Sequence, residues 1–190
     1  IPSLQASRLR TMMLQAHNDS TKILAHCCSY DGLSSRLVEE AGFPMIFLAG
    51  YPCASSYGLP DTGYIAMAEM CALKTSEHYR RKEMNDKGIG DKIQEAVRQC
   101  SVPVMADGDT GYGSPMNVKR TVESYANAGA AGVMIEDQTW PKRIALDLLL
   151  ETDDTERLLG CGHTKGKAVV SRGEAYARIQ AACDARDEGK

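Results

Sequence analysis

The chain has 190 residues, 43% of them hydrophobic, and carries a formal net charge of −3 with a pI near 5.8. This length and composition predict a single globular domain over residues 1–190 and exclude compositional disorder. The basic residues are scattered, which excludes the concentrated positive field that binds nucleic acid or an anionic membrane. No run approaches the ~20 apolar residues of a membrane-spanning helix.

The seven cysteines form an odd set without CxxC spacing. This pattern predicts reduced thiols rather than a disulfide framework or a zinc site. His26 beside Cys27 and Cys28 is predicted to pack in the core rather than to bind a metal. The thiols indicate a cytoplasmic protein, with the mitochondrion as the alternative. The chain begins at Ile1 rather than Met, so the sequence leaves open an incomplete N-terminus and the targeting it would carry.

The first half of the chain alternates predicted helices and strands. Helix formers with spaced apolar positions predict an entry helix over residues 4–17, followed by a short strand over 22–28. A helix is predicted over 33–41, ending at Gly42, and a fully apolar strand over 45–49. These elements form a strand–helix–strand unit.

The same alternation continues in the second half. The periodicity predicts a helix over 91–100, a strand over 102–106, a helix over 115–128 and a strand over 132–135. A capping-box pattern at Ser171 begins a final helix that runs to about residue 187. Four successive β/α units predict a parallel sheet and an α/β fold.

Two segments interrupt this alternation and are interpreted as insertions. Residues 72–90 are charged and aperiodic, and they divide what the pattern otherwise predicts as one helix, 66–71 joined to 91–100. Residues 144–160 combine a leucine run with an acidic patch inside a loop.

The strongest functional signal follows the strand over 102–106, which leads directly into Asp107-Gly108-Asp109. Because side chains alternate along a strand, Asp107 and Asp109 are predicted to lie on the same face. Two carboxylates at the carboxyl end of a parallel strand are suited to a hard cation such as Mg²⁺. A turn or a helix cap is the alternative role for both residues.

A set of short motifs resembles the isocitrate lyase/phosphoenolpyruvate mutase superfamily, nearest to its 2-methylisocitrate lyase and carboxyphosphonoenolpyruvate phosphonomutase-like branch. The motifs occur in one specific order along the chain. They are Tyr30-Asp-Gly-Leu-Ser-Ser-Arg36, Glu40-Ala-Gly-Phe43, Ser55-Ser-Tyr-Gly-Leu-Pro-Asp61, Ala106-Asp-Gly-Asp-Thr-Gly-Tyr-Gly113, Asn117-Val-x-Arg-Thr-Val122, Ala128-Gly-Ala-Ala-Gly132 and Ile135-Glu-Asp-Gln138.

The resemblance implies a (β/α) TIM-barrel fold, which typically needs ~250 residues. This chain is expected to supply about the first four β/α units, an incomplete barrel that lacks the family's strand-5 arginine for the substrate carboxylate. Open sheet edges would favour pairing with other chains. The expected protein partner is therefore either a second copy of the chain or a full-length relative. The resemblance also implies a small carboxylate substrate.

The resemblance also implies the residues of a site. Metal ligands, direct or through water, are expected at Asp107, Asp109 and Glu136, with Mg²⁺ as the ion and Mn²⁺ as the alternative. The substrate-binding residues carried over are Tyr30, Ala49, Gly50, Tyr51, Asp61 and Gly162. The family more often has serine at position 49, so Ala49 removes one hydroxyl donor. Asp61 follows Pro60, and a turn residue is its alternative role.

Four further residues correspond to the family's catalytic loop, which here is split by the segment 144–160. Cys161 is the expected proton donor, Lys142 a loop electrophile, and Arg143 and His163 the cations that would favour a thiolate. An inert solvated loop is the alternative. A Cys-Gly-His sequence favours the lyase branch, because the related phosphonate mutases carry asparagine at the cysteine position.

The expected activity is therefore Mg²⁺-dependent cleavage, by a lyase or a hydrolase, of a C–C bond in a small 2-hydroxy or 2-oxo di- or tricarboxylate. The first alternative is a phosphonomutase of the carboxyphosphonoenolpyruvate type. The second is a truncated family member without catalytic activity, which the two insertions and the missing barrel half favour.

Overall fold

The computed structural model describes residues 3–61, 63, 65–70, 92–140 and 168–189. Within them, helices and strands alternate as the periodicity predicts. In chain order they are α1 (Leu4–Asn18), β1 (Cys27–Ser29), α2 (Gly32–Glu40), β2 (Ile46–Leu48), α3 (Gly50–Ser56), α4 (Met67–Met70), α5 (Lys92–Gln99), β3 (Val104–Asp107), α6 (Pro115–Ala128), β4 (Gly132–Met134) and α7 (Arg172–Glu188).

The strands form one four-stranded parallel sheet in the order β1-β2-β3-β4. Ile46 pairs with Cys27 on one side and with Val104 on the other, and Met105 pairs with Gly132. A sheet whose order follows the chain, with helices in the connections, confirms the predicted α/β class. Because the strands are parallel, all of their carboxyl ends lie along one edge.

The core lies on the central strands β2 and β3. Ile46, Leu48 and Ala106 are fully buried, as is expected of strands covered on both faces. Helix α5 adds Ile93 and α6 adds Tyr125 to the same cluster. Core packing therefore holds β2 and β3 in place, and with them the carboxyl end of β3.

Helix α1 lies across the amino ends of β3 and β4. Its Gln5 and Arg8 side chains donate to the Ser101 carbonyl at 2.8 and 3.0 Å, and its Leu9 side chain is buried beside Gly132. Ser101 precedes β3 and Gly132 begins β4. The entry helix thus packs at the amino ends of β3 and β4, on the side of the sheet opposite the acids.

The structure corrects the sequence predictions around β1. The strand predicted over 22–28 is confined to Cys27–Ser29, and His26, Cys27 and Cys28 are exposed rather than packed in the core. The reason is the position of β1 in the sheet, where it pairs with β2 alone among the described strands. His26 lies at the surface, with its ring centroid 5.6 Å from that of Phe47.

The proposed insertions, 72–90 and 144–160, lie outside the described residues, as does the junction between the helix predicted at 66–71 and α5. Both interpretations remain predictions. In the part of the chain that the structure describes, no helix is long and apolar enough to cross a membrane.

Helix α3 was not predicted, because its sequence, Gly-Tyr-Pro-Cys-Ala-Ser-Ser, has the composition of a turn. It begins directly after β2, with Ala49 as an N-cap that makes no side-chain hydrogen bond. Pro52 is tolerated because the first turn of a helix leaves its N–H groups unpaired in any case.

Replacing Ala49 by serine is expected to raise the free energy of unfolding by about 1 kcal/mol. The new hydroxyl would accept from the Tyr51 amide, since Pro52 has no N–H to offer. Urea denaturation measures the change. Ala54→Ser is the control in the same helix: Ala54 is buried in the core, so a hydroxyl there is expected to destabilise. Equal effects from both variants would contradict the capping explanation.

Candidate functional site at the carboxyl edge of the sheet

Strand β3 ends at Asp107, whose side chain is 9% exposed. Its Oδ2 accepts from the Gly50 amide at 3.1 Å and its Oδ1 from the Asp109 amide at 3.0 Å. A Cβ at position 50 would lie 3.0 Å from Oδ2, so glycine allows this close approach. The carboxylate thus links the end of β3 to the start of α3.

Asp109 lies beyond the strand, in a turn with φ 47°, and is 6% exposed. The sequence argument placed Asp107 and Asp109 on one face by strand alternation, and that argument is wrong, because β3 ends two residues earlier. A turn closed by the Asp107 carboxylate brings the two acids together instead. Residues 107–109 are called the acidic turn below.

Glu136 is brought to the acidic turn by the neighbouring strand. The Gly108 amide donates to the Met134 carbonyl at 2.9 Å, and the Glu136 amide donates to the Asp109 carbonyl at 2.7 Å. These bonds extend the contact between β3 and β4 beyond the ends of both strands. The three acids that the family resemblance implies as metal ligands therefore lie on adjacent, directly bonded segments.

Two tyrosines support the acidic turn, Tyr125 from α6 and Tyr112 from the loop that precedes this helix. The Tyr125 hydroxyl donates to the Asp107 carbonyl at 2.9 Å and lies 3.0 Å from the Tyr112 hydroxyl. Burial raises the pKa of Tyr112 well above its ordinary value, and the nearby Tyr125 and Asp109 raise it further. Tyr112 therefore stays protonated and donates to Tyr125, which leaves the Tyr125 proton for the Asp107 carbonyl.

Replacing Tyr125 by phenylalanine is expected to lower the free energy of unfolding by about 1–3 kcal/mol, because its hydrogen bonds to the Asp107 carbonyl and the Tyr112 hydroxyl are lost. Urea denaturation measures the loss. Tyr176→Phe removes a hydroxyl from a tyrosine that is 66% exposed and is expected to have little effect. A Tyr125→Phe variant as stable as the wild type would show that this pair does not support the turn.

The predicted substrate-binding residues that follow β1 and β2 lie at the same edge, but most of their backbone donors are engaged within the protein. The Tyr30 amide donates to Ser34 Oγ at 3.1 Å, the Ala49 amide to the Ser29 carbonyl at 3.1 Å, and the Gly50 amide to Asp107. The Tyr30 and Tyr51 side chains are 39% and 58% exposed. Of these residues, the two tyrosines are the most accessible.

Asp61 is half-buried in the segment that follows α3. Two residues later, Gly63 has φ 83°, and a Cβ there would lie 2.1 Å from the Trp140 ring. The segment after α3 is therefore packed against the segment after β4. The predicted loop residues lie outside the described residues: Lys142, Arg143, Cys161, Gly162 and His163.

The chemistry of the donors fits Mg²⁺. Asp107 and Asp109 are buried carboxylates, and among the described residues Asp107 is held by backbone amides and by no cationic side chain. The buried Thr110 hydroxyl has no hydrogen-bond partner in the same part of the chain. Buried negative charge of this kind is stabilised by a cation, and oxygen donors select hard ions.

The fit is to an ion that keeps some of its water. Among the described residues, no three His, Cys, Asp or Glu side chains come close enough together to hold a metal ion directly. Mg²⁺ is usually held by one or two carboxylates and retains several waters. Asp107, Asp109 and Glu136 are compatible with that mode and not with a closed three-carboxylate cage.

Sequence reasoning missed two residues that support the site, Tyr125 and Arg178. The buried positions of α6 are 118, 121, 125 and 128, so helical periodicity carries a signal for Tyr125. Arg178 is buried in α7, where its guanidinium donates to the Glu136 and Gln138 carbonyls. Its i,i+4 spacing from Glu174 predicts a surface ion pair and gives no signal of burial.

A family model described as phosphoenolpyruvate phosphomutase matches residues 14–190. The chain belongs to the phosphoenolpyruvate mutase/isocitrate lyase family. The match confirms the resemblance given by the sequence motifs, and it covers β3, β4 and all three acids.

Two relatives represent the two activities that the motifs suggest. 2,3-Dimethylmalate lyase of Eubacterium barkeri is 32% identical over 159 residues, 83% of this chain and 43% of that protein. The chloroplastic carboxyvinyl-carboxyphosphonate phosphorylmutase of Arabidopsis thaliana is 32% identical over 180 residues, 94% of this chain and 42% of that protein. Similar identities leave the choice between lyase and mutase open within the family.

Solved structures of the family share the fold. An oxaloacetate acetylhydrolase in complex with the inhibitor 3,3-difluorooxalacetate has a TM-score of 0.68 and 32% identity, covering 97% of this chain and 50% of that one. A phosphonopyruvate hydrolase in complex with oxalate and Mg²⁺ has a TM-score of 0.64 at 24% identity, covering 96% and 48%. The chain therefore spans about half the length of the relatives it matches, or somewhat less.

Proposed function

We propose that this family member takes part in Mg²⁺-dependent cleavage of a C–C bond in a small 2-hydroxy or 2-oxo di- or tricarboxylate, as in 2-methylisocitrate lyase. Lyase and hydrolase outcomes both fall within the proposal. The observation that carries it is the acidic turn, where Asp107 and Asp109 are buried at the carboxyl edge of the sheet and Asp109 is bonded to Glu136.

The acids have distinct proposed roles. Asp107 is fixed by two amide donors and would be the most rigid metal ligand, whereas Asp109 and Glu136 would act through water, with at most one of them binding directly. Bound Mg²⁺ would supply Lewis-acid stabilisation of the negative charge that develops on an oxo-acid substrate. Tyr30 and Tyr51 would lie beside that substrate, since their side chains are exposed at this edge.

The loop residues are assigned by family resemblance. Cys161 would donate or accept the proton that completes cleavage, with Arg143 and His163 favouring its thiolate and Lys142 contacting the developing charge. Gly162 and Asp61 would line the same pocket. Cys161→Ser is the variant that tests this assignment, because serine keeps the size of the side chain and has a far higher pKa.

The proposal is tested by measuring release of a 2-oxo acid from 2-methylisocitrate and 2,3-dimethylmalate and release of oxalate from oxaloacetate. Phosphonopyruvate is the phosphonate substrate, and its phosphorus-containing products are identified separately. Each substrate is assayed after EDTA treatment and after Mg²⁺ or Mn²⁺ is restored. Turnover of a carboxylate that needs the metal and is lost in Cys161→Ser supports the lyase or hydrolase proposal.

The other outcomes are equally informative. Rearrangement of the phosphonate to the corresponding enol phosphate, with no carboxylate cleaved, would favour the phosphonomutase alternative. A folded chain that binds Mn²⁺ and turns over no substrate would favour the non-catalytic alternative. A folded chain that neither binds Mn²⁺ nor turns over substrate would contradict the proposed function.

A further inference from the structure

Helix α7 carries a buried cation that contacts the backbone of the candidate site. Arg178 is 4% exposed, and its Nη1 donates to the Glu136 carbonyl at 3.0 Å and to the Gln138 carbonyl at 2.9 Å. Its Nη2 donates to Glu174 Oε1 at 2.7 Å. One guanidinium group therefore joins two main-chain carbonyls of the segment that contains a predicted metal ligand.

That segment, residues 136–139, continues β4 past its end at Met134 and is held by contacts from distant parts of the chain. The Glu136 amide donates to the Asp109 carbonyl at 2.7 Å, and the Asp137 carbonyl accepts from the Val170 amide at 2.8 Å. The Thr139 amide donates to the Ala168 carbonyl at 2.9 Å. Arg178 contributes the side-chain contacts from the α7 side.

The geometry suits arginine in particular. A planar guanidinium presents several N–H donors in a fixed arrangement, so one group can satisfy two carbonyls and a carboxylate together, which an ammonium does less well. Hydrogen bonds that involve a charged donor are stronger than those between neutral groups. The pairing with Glu174 offsets part of the cost of burying the charge.

Glu136 is held by its backbone on both sides. Its amide bonds to the acidic turn, and its carbonyl bonds to Arg178. We propose that Arg178 is a positioning residue that fixes the 136–138 backbone and thereby keeps Glu136 beside Asp109. The effect on metal binding rests on the proposed function, whereas the effect on the backbone does not.

The first test measures amide hydrogen exchange in the metal-free chain for Arg178→Met and Arg178→Lys. In Arg178→Met, the Glu136 amide is expected to exchange at least about tenfold faster, relative to amides of β3, than in the wild type, because its local hydrogen bond opens more often. The exchange rate in the lysine variant is expected to be intermediate, since one ammonium can replace only some of the hydrogen bonds that the guanidinium makes.

Two controls separate positioning from general stability. Arg172→Met removes the same charge from an exposed position in α7. It is expected to leave the exchange rate of the Glu136 amide unchanged relative to the amides of β3. Val38→Ala destabilises the buried core of α2 and is expected to accelerate β3 and residue 136 together. If Arg178→Met changes both regions in parallel, as Val38→Ala does, the positioning role is wrong.

The second test measures Mn²⁺ affinity by titration calorimetry. Arg178→Met is expected to weaken binding about 10–100-fold, the range typical of groups that orient metal ligands. In a Glu136→Gln background the same substitution should add little, because the ligand it positions has already been removed. If the wild type binds no Mn²⁺, the proposed metal function fails while hydrogen exchange still decides the role of Arg178.

Discussion

Replacing Asp107 by asparagine is expected to abolish stabilisation of the protein by Mg²⁺ and to weaken Mn²⁺ binding by at least about 100-fold, since even groups that only orient a ligand cost 10–100-fold. Both Asp107 oxygens accept backbone amides, so asparagine can keep only one of these bonds and also loses the negative charge. Turnover in the proposed reaction is expected to fall with metal binding.

The measurement is the midpoint of thermal unfolding with and without Mg²⁺. A ligand at 100 times its dissociation constant stabilises the folded state by about 2.7 kcal/mol, so the wild type should show a clear shift. Asp184→Asn, at an exposed position of α7, makes the same chemical change and should keep the full shift. A metal-dependent shift that survives in Asp107→Asn would remove Asp107 from the ligand set.

Replacing Gly108 by alanine is expected to have the largest effect on stability, a loss of about 3 kcal/mol, at the upper end of the range for overpacking. The new Cβ would lie 2.8 Å from the side chains of Val133 and Ile135 and 2.9 Å from the Met134 carbonyl. That carbonyl accepts the Gly108 amide, so it cannot move away without breaking the bond between the two segments.

Because the acidic turn and Glu136 are joined at this point, Gly108→Ala is also expected to weaken Mn²⁺ binding. Urea denaturation and titration calorimetry measure the two effects. Gly173→Ala is the matched control, because a Cβ there meets nothing within 4 Å and the residue lies in α7. Alanine at that position is expected to leave stability unchanged or raise it by up to about 1 kcal/mol. Equal stability of the two variants would contradict the steric argument.

The elements that were predicted well are those whose signal is local. The helix predicted over 115–128 is observed at Pro115–Ala128, with proline in its first turn and Gly129 at its end in the left-handed region. The central strands were recognised from short apolar runs, since a parallel strand covered on both faces is apolar throughout.

The errors concern positions where a distant part of the chain decides the outcome. His26 and Cys27 are exposed because β1 has one strand neighbour among the described strands, and edge position cannot be inferred from the residues of the strand itself. Helix α3 forms from a turn-like sequence whose first amide is bonded to Asp107, 57 residues away. Local propensity does not contain that contact.

Residue order and periodicity were enough to predict the β/α alternation, the family motifs and the presence of acids after β3 and β4, because these are properties of neighbouring residues. The way in which those acids are held depends on the fold: Asp107 is held by the Gly50 amide, Asp109 lies in a left-handed turn, and Glu136 is held between Asp109 and Arg178. Apart from the local turn at Asp109, these contacts join residues far apart in the chain, and a buried guanidinium or carboxylate is stable only where folding brings it a partner.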